Sequence, residues 1–313
     1  MGRLVCPGES FSSAQIREVA EAVAERGGES VDVTTRGDML LQLPDADLSA
    51  LQTALMQEGL TQGAPTQGTC SESQAVSGPP TGAGRWVPRN EDLTGVHERQ
   101  PGLFSIGVPL AAGRISAQQL AKAADVAERH GDGRVRFTAR QGLLLLGVPQ
   151  EKVLHALEGL EGVGLKPQGS MVRRGLVVCS ETELCVEDWS ALSRRAREIV
   201  DHLEKQLLLS DPLRIRLTGP SCTCGAPAEE EISIAGVKLE LGQEPGAGSD
   251  PFDVRVGGRL LAGAVRGDEV KFLLEHLLVS WKRQRKPAES LGEFCGRIGY
   301  EQVAQQLRKE VAG

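Results

Sequence analysis

Aromatic side chains are scarce in this chain, at 3% of its residues, and several marks of functional class are missing with them. No apolar run approaches the roughly 18 residues of a membrane span, so no membrane association is expected. Met1–Ser10 lacks the apolar segment of a signal peptide, and Gly2 lacks the downstream Ser or Thr of a myristoylation motif, so the expected compartment is the cytoplasm. No G-x-G-x-x-G unit follows a strand pattern and opens a helix, which argues against a built-in dinucleotide site. The five histidines show no metal-ligand spacing. Charge of either sign is not in large excess: 35 Lys and Arg against 42 Asp and Glu leave a net charge of −7. Nucleic acid is therefore not an expected partner, and any anion site must be local.

What the chain does have is length, turns and thiols. Its 313 residues suffice for two or three domains with real cores, and 38 Gly and 16 Pro imply many tight turns. Seven cysteines, an odd number, fit a reducing compartment better than a disulfide framework. Four of them follow apolar strand patterns. Leu176–Val178 runs into Cys179 and Cys185, and Leu213–Leu217 runs into Cys222 and Cys224. If the two strands are neighbours, their loops leave on one sheet edge and the four thiols converge. Soft thiolate ligands point to iron–sulfur or zinc. Structural zinc sites favour cysteine pairs separated by about two to four residues. Here the separations are five and one, which favours iron–sulfur.

Along the chain, residues 1–63 read as a small αβ unit. Ser12 or Ser13 caps an amphipathic helix through Arg26, strands follow at Val31–Val33 and Met39–Leu43, and a helix spans about 47–59. Residues 103–168 repeat it. Ser13-Ala-Gln15 and Val23-Ala-Glu-Arg26 recur as Ser116-Ala-Gln118 and Val126-Ala-Glu-Arg129 at an offset of 103, and Val31–Arg36 recurs as Val135–Arg140 after a one-residue insertion. Between the repeats, residues 64–102 are rich in Gly, Pro, Ser, Thr and Gln and read as a linker, although Arg85 and Arg89 flank Trp86 in a way that suits an anionic planar ligand. Residues 169–313 form a third region, with strands at 172–178, 212–217, 232–241, 252–256 and 259–265 and helices at 186–209, 268–286 and 300–311.

These motifs resemble the siroheme-dependent nitrite and sulfite reductases. The resemblance is carried by Arg136-Phe-Thr-Ala-Arg140-Gln141, by Arg173-Arg174-Gly-Leu-Val-Val-Cys179 with Cys185, by Arg216-Leu-Thr-Gly219 leading to Cys224-Gly225, and by Val256-Gly-Gly258. It implies an α+β fold of two ferredoxin-like half-domains beside an α/β lobe that carries a [4Fe–4S] cluster and siroheme. Cys179, Cys185, Cys222 and Cys224 would hold the cluster, and Cys224 would also reach the siroheme iron. Siroheme is a polycarboxylate, and Arg pairs bidentately with carboxylate. Arg36, Arg85, Arg89, Arg136, Arg140, Arg173 and Arg174 are the candidates to bind it. The implied activity is reduction of nitrite or sulfite with electrons from an external donor, a ferredoxin or a reductase subunit.

The chain departs from the family pattern twice. By the family's spacing Pro220 takes the third ligand position; Cys222, two residues later, is the candidate to replace it, with a different third ligand, a labile cluster or no cluster as the open alternatives. The long reductases also place a siroheme-contacting lobe between the half-domains, where this chain has about forty low-complexity residues. A homodimer would be one way to complete the distal pocket. Two alternatives stay open: a non-catalytic cofactor or electron-transfer subunit, and an enzyme of tetrapyrrole biosynthesis resembling precorrin-3B synthase, to which Cys6-Pro-Gly8 points. Cys6, Cys70 and Cys295 otherwise read as ordinary thiols.

Overall fold

The computed structural model describes residues 2–6, 10–35, 37–43, 53, 93–179, 189–211, 213–220, 231–237 and 250–311. The chain divides into two compact units, Met1–Gly107 with Ser116–Gly164, and Val108–Ile115 with Leu165–Gly313. Helices and sheets are mixed in both, an α+β fold.

The first unit contains strands β1 (Gly2–Cys6) and β2 (Phe11–Ser12), helix α1 (Ser13–Glu25), and strands β3 (Ser30–Val33), β4 (Met39–Leu43), β5 (Gly95–Gln100) and β6 (Leu103–Pro109). After the short strand β7 (Arg114–Ser116) come helix α2 (Ala117–His130), strands β8 (Arg134–Phe137) and β9 (Gly142–Pro149), and helix α3 (Val153–Glu161). Strands β1, β4 and β3 are neighbours in that order, and a second sheet runs β2-β8-β9-β6-β5. The helix expected near residues 47–59 lies outside the described residues except for Thr53, which is helical. Residues 95–100, assigned to the linker by composition, form β5 and pair antiparallel with β6. Strand β5 thus adds an edge to the second sheet from residues that composition assigns to the linker.

Both repeat helices start the same way. Ser12 Oγ accepts from the Gln15 amide at 3.2 Å while Gln15 Oε1 accepts from the Ser12 amide at 2.9 Å. Ser116 and Gln119 form the same reciprocal cap, with both bonds at 3.1 Å. The buried faces match too: Ile16, Val19, Ala20, Ala22 and Val23 correspond to Leu120, Ala123, Ala124, Val126 and Ala127, an offset of 104. The expected register of 103 followed by an insertion is therefore corrected to a single offset of 104. The matching strings Ser-Ala-Gln and Val-Ala-Glu-Arg are one residue out of step with the caps and apolar faces that decide the packing.

The repeats exchange backbone. Strand β2 of the first pairs antiparallel with β8 of the second, Phe11 opposite Val135, with the Phe11 and Phe137 rings 5.9 Å apart. The Ser13 amide donates to Gly133 O at 2.8 Å, and 104 residues on the Ala117 amide donates to Glu29 O at 3.1 Å. Arg17 of α1 reaches across to Asp125 of α2 at 3.1 Å and to Glu128.

The second unit is a five-stranded sheet, with β10 (Leu176–Val178), β11 (Ile215–Thr218), β12 (Ile232–Gly236), β13 (Pro251–Val256) and β14 (Arg259–Arg266) in that order. The first three strands are parallel and the last two antiparallel. Gly257 and Gly258, at φ 53° and 77°, supply the left-handed pair that the two-residue β13–β14 turn requires. Helix α4 (Met171–Gly175) precedes β10, and α5 (Trp189–Gln206) is the crossover between the parallel strands β10 and β11. Helices α6 (Val270–Gln284), α7 (Leu291–Ile298) and α8 (Tyr300–Val311) follow the sheet. Leu192, Ala196, Ile199, Val200 and Leu203 of α5 and Leu273, Leu274, Leu277, Leu278 and Trp281 of α6 are buried, and the two helices pack together.

Two elements differ from the sequence reading. The strand expected over 172–178 is a helical turn over 171–175 and only three residues of strand. Ser170 caps that turn by accepting from the Arg173 amide at 3.0 Å. Helix α7 was not foreseen, although Ser290 and Glu293 form its capping box.

Candidate functional site

In the second unit the site begins with strand pairing. Leu176, Val177 and Val178 of β10 lie opposite Ile215, Arg216 and Leu217 of β11, in parallel. The Cys179 amide extends the ladder by donating to Leu217 O at 2.8 Å, and the residue is fully buried. Because the strands run the same way, the segment leaving Cys179 and the segment leaving Thr218-Gly219-Pro220 depart from one sheet edge. This is the juxtaposition that convergence of the thiols requires. Of the four candidate ligands, Cys179 is described, while Cys185, Cys222 and Cys224 lie outside the described residues.

The edge is closely built. A Cβ at Gly236, at the end of β12, would come within 2.8 Å of the Pro220 nitrogen, so only glycine lets β12 lie flat against the start of the second cysteine segment. A cavity of about 310 Å³ opens beside it, lined by Leu192, Arg194, Pro220, Val237 and Phe252 among others. Arg216, at 9% exposure, brings a buried guanidinium into the sheet between Val177 and Ser233. It was not among the residues chosen from sequence, yet an Arg inside the apolar strand Ile215–Thr218 is a usable signal, since a buried charge is held only where a partner compensates it.

Arg173 and Arg174 lie on α4, three and two residues before β10. The Arg173 fork is bidentate to Glu204 of α5, with Nε to Oε1 at 2.9 Å and Nη2 to Oε2 at 2.8 Å, and Ser170 Oγ donates to the same carboxylate at 2.6 Å. Burial pushes the Glu204 carboxyl up, but the hydrogen bonds from Arg173 and Ser170, with the Arg173 and Lys166 charges, outweigh it and leave the group below the ordinary carboxylate range. Arg174 is half-buried.

In the first unit two matching turns follow β3 and β8, and of the candidate arginines Arg140 sits on the second. Thr34 N donates to Asp38 O at 2.9 Å and Gly37 N to Thr34 O at 3.0 Å, while Thr34 Oγ1 accepts from Asp38 N at 3.1 Å. At offset 104, Thr138 N donates to Gly142 O at 2.9 Å and Gln141 N to Thr138 O at 2.8 Å, while Thr138 Oγ1 accepts from Gly142 N at 3.0 Å. Arg140 is half-buried in the second turn, and Arg136 is half-buried on β8 opposite Leu144. The turns touch: Gln141 Nε2 donates to Val33 O at 2.8 Å. Arg36, Arg85 and Arg89 lie outside the described residues.

The remaining thiols and imidazoles have structural surroundings. Burial, with the Asp38 charge, pushes Cys6 up to about 12, and burial pushes Cys295 up to about 11. Cys6 is the partner of Met39 in the β1–β4 ladder. Cys70, Pro7 and Gly8 lie outside the described residues. His202 lies 2.6 Å from Glu275, and His130 stacks on His155 with centroids 6.1 Å apart.

Two half-domains built alike are thus followed in sequence by a mixed sheet whose strand β10 ends at Cys179. Residues 97–163 match the nitrite/sulfite reductase ferredoxin-like half domain. A sulfite reductase [ferredoxin] 2 of Mycolicibacterium paratuberculosis is 31% identical over 221 residues, which cover 66% of this chain and 40% of that one. An assimilatory ferredoxin-dependent nitrite reductase of Haloferax mediterranei is 29% identical over 222 residues, 69% of this chain and 34% of that one. The solved structure of the Mycobacterium tuberculosis NirA protein aligns with a TM-score of 0.59 at 25% identity, covering 82% of this chain and 46% of that one. Residues 97–163 thus belong to the nitrite/sulfite reductase ferredoxin-like half-domain family, and the chain spans about 40% or less of the length of these curated relatives.

Proposed function

We propose that this chain is a nitrite or sulfite reductase-type oxidoreductase that holds a [4Fe–4S] cluster and siroheme and takes electrons from an external donor such as a ferredoxin. The observation that carries the reading is the parallel pairing of β10 with β11, which sends both cysteine segments out of one edge. The described residues suit the cofactors: the Cys179 thiol at the end of β10 suits an iron–sulfur cluster, and the guanidiniums of Arg136 on β8 and Arg140 on the turn after it suit a polycarboxylate macrocycle. Cys179, Cys185, Cys222 and Cys224 would ligate the cluster. Arg36, Arg136 and Arg140 would bind the macrocycle's carboxylates, with Arg85, Arg89, Arg173 and Arg174 as further contributors. Bound there, the pair would supply single-electron delivery to an iron that takes nitrite or sulfite. The protein's own work is to keep the thiols together at a strand edge, to orient the carboxylates and to exclude water from the buried side of Cys179.

Protein reconstituted anaerobically should show iron–sulfur and siroheme absorption and oxidise reduced viologen when given nitrite or sulfite. Colourless, inert protein after reconstitution would reject the reading. A second reading, a cofactor-bearing electron-transfer subunit, is motivated by the roughly forty low-complexity residues that stand between the half-domains where the long reductases place a siroheme-contacting lobe. It predicts the same chromophore without turnover. The cytoplasm is the proposed location; among the described residues, no helix is long and apolar enough to cross a membrane.

A further inference from the structure

The cavity of about 310 Å³ beside Gly236 has a lining that the proposed redox chemistry does not call on. Ala191, Leu192, Arg194 and Arg195 bring one face of α5 to it, since residues three and four apart lie together on a helix. Pro220, Val237, Pro251 and Phe252 line it from around the ends of β11, β12 and β13. Leu192 and Phe252 are buried and make its inner wall apolar.

The two guanidiniums on this lining are not equivalent. Arg195 is committed within the unit: its Nη1 lies 2.6 Å from Glu198 Oε2. Its guanidinium and the Phe252 ring also pack on Gly267, where a Cβ would come within 3.1 Å of each. Arg194 is exposed, and among the described residues its guanidinium has no hydrogen bond or ion pair. Asp250, exposed on the same lining, does not pair with it. An apolar wall is therefore edged by a cation that no described carboxylate neutralises.

We propose that this cavity is a binding site for a small carboxylate with an apolar body, its carboxylate on Arg194 and its body against Leu192 and Phe252. A guanidinium meets a carboxylate through two parallel hydrogen bonds, and an apolar wall with a few placed polar groups is the usual make-up of a small-molecule site. The volume equals roughly ten waters at about 30 Å³ each, room for a ligand of about ten non-hydrogen atoms. An arylalkanoate and an aromatic amino acid share this chemistry, and Asp250 would meet the ammonium of the second. The site goes beyond the proposed redox function and does not depend on it.

The test titrates 3-phenylpropanoate, L-phenylalanine and phenethylamine into the full chain by ligand-observed NMR, with thermal unfolding measured in parallel. 3-Phenylpropanoate or L-phenylalanine should bind, the tighter of the two telling the simple acid from the amino acid, and phenethylamine should not. Arg194→Gln, at an exposed position, should melt like the wild type and bind about tenfold more weakly, as when a hydrogen bond to a charged group is lost. Ala191→Phe should fill the cavity and abolish binding. No binding of either acid, binding of phenethylamine as tight as theirs, or wild-type affinity in folded Arg194→Gln would overturn the inference. Loss of binding after reconstitution with iron and sulfide would overturn it too, because the cavity would then belong to the cluster. The proposed redox function fails on a different result, a reconstituted protein that is colourless and inert.

Discussion

Gly175→Ala adds one methyl group where the chain turns from α4 into β10, and the space for it is already occupied. A Cβ built there lies 1.7 Å from Leu213 O and 2.8 Å from Leu213 C, backbone atoms that no rotamer change can move. The φ of Gly175 is not in the left-handed region, so the penalty is one of close approach alone. Accommodating the methyl requires the start of β10 to move off the segment leading into β11, which disturbs the register Leu176–Ile215 and the ladder that ends at Cys179. Overpacking against side chains costs about 1–3 kcal/mol, and a rigid backbone carbonyl puts this substitution at about 3 kcal/mol or more. Gly296→Ala is the matched control: it lies on the exposed side of α7, nothing stands within 4 Å of its would-be Cβ, and helix propensity favours alanine by about 1 kcal/mol. Urea or thermal unfolding of the two variants should therefore give opposite signs. At roughly 2–4 °C per kcal/mol for a domain of this size, Gly175→Ala should melt about 6–12 °C lower. Wild-type stability for Gly175→Ala would refute the claim that a close backbone approach sets the position of the cysteine edge.

Three further outcomes follow from the same coordinates. Glu204→Gln should cost about 2 kcal/mol, because it weakens a charge-assisted fork and a hydroxyl hydrogen bond at once. Since the Glu204 carboxyl is lowered in the folded state, its contribution is present above the ordinary carboxyl range and lost as pH falls through the lowered value; urea midpoints for this variant and the wild type should converge on acidification. Ser12→Ala and Ser116→Ala should each cost about 1 kcal/mol, and by similar amounts, because the two caps are built alike; a large disparity in unfolding would contradict the shared register. In native protein at pH 8, Cys6 and Cys295 should resist iodoacetamide and become labelled only on unfolding, as mass spectrometry of the peptides would reveal.

Local chemistry made much of this fold readable. Ser12 before an apolar face, the β3–β4 pair and the apolar runs ahead of Cys179 and Cys222 announced helix start, strands and cysteine segments without any long-range information. Strand β5 escaped because Gly95–Gln100 is an edge strand with mostly exposed residues, so it carries almost no apolar alternation. The turn over 171–175 was hidden by the apolar residues on either side of Arg173-Arg174, and only the Ser170 cap betrays it. The candidate site is a matter of distance along the chain. Composition identifies Arg173 as a cation but not that Glu204, 31 residues on, occupies its fork. Nor can spacing show that Gln141 reaches Val33, 108 residues back. The repeat register slipped by one because string identity weighs every letter alike, whereas caps and buried positions decide the packing.

The first repeat lends β2 to the sheet of the second, and the backbone bonds that accompany the loan are returned at Ala117 and Glu29. A protein carrying only one copy of such a unit would have to borrow the missing strand from a twin molecule. Joining the copies in one polypeptide makes that loan permanent, at the cost of closing contacts more than a hundred residues apart before either sheet is complete. It also frees each copy from having to match itself. A bare backbone at position 37 facing an amide at position 141 is an arrangement that two identical molecules related by symmetry cannot make.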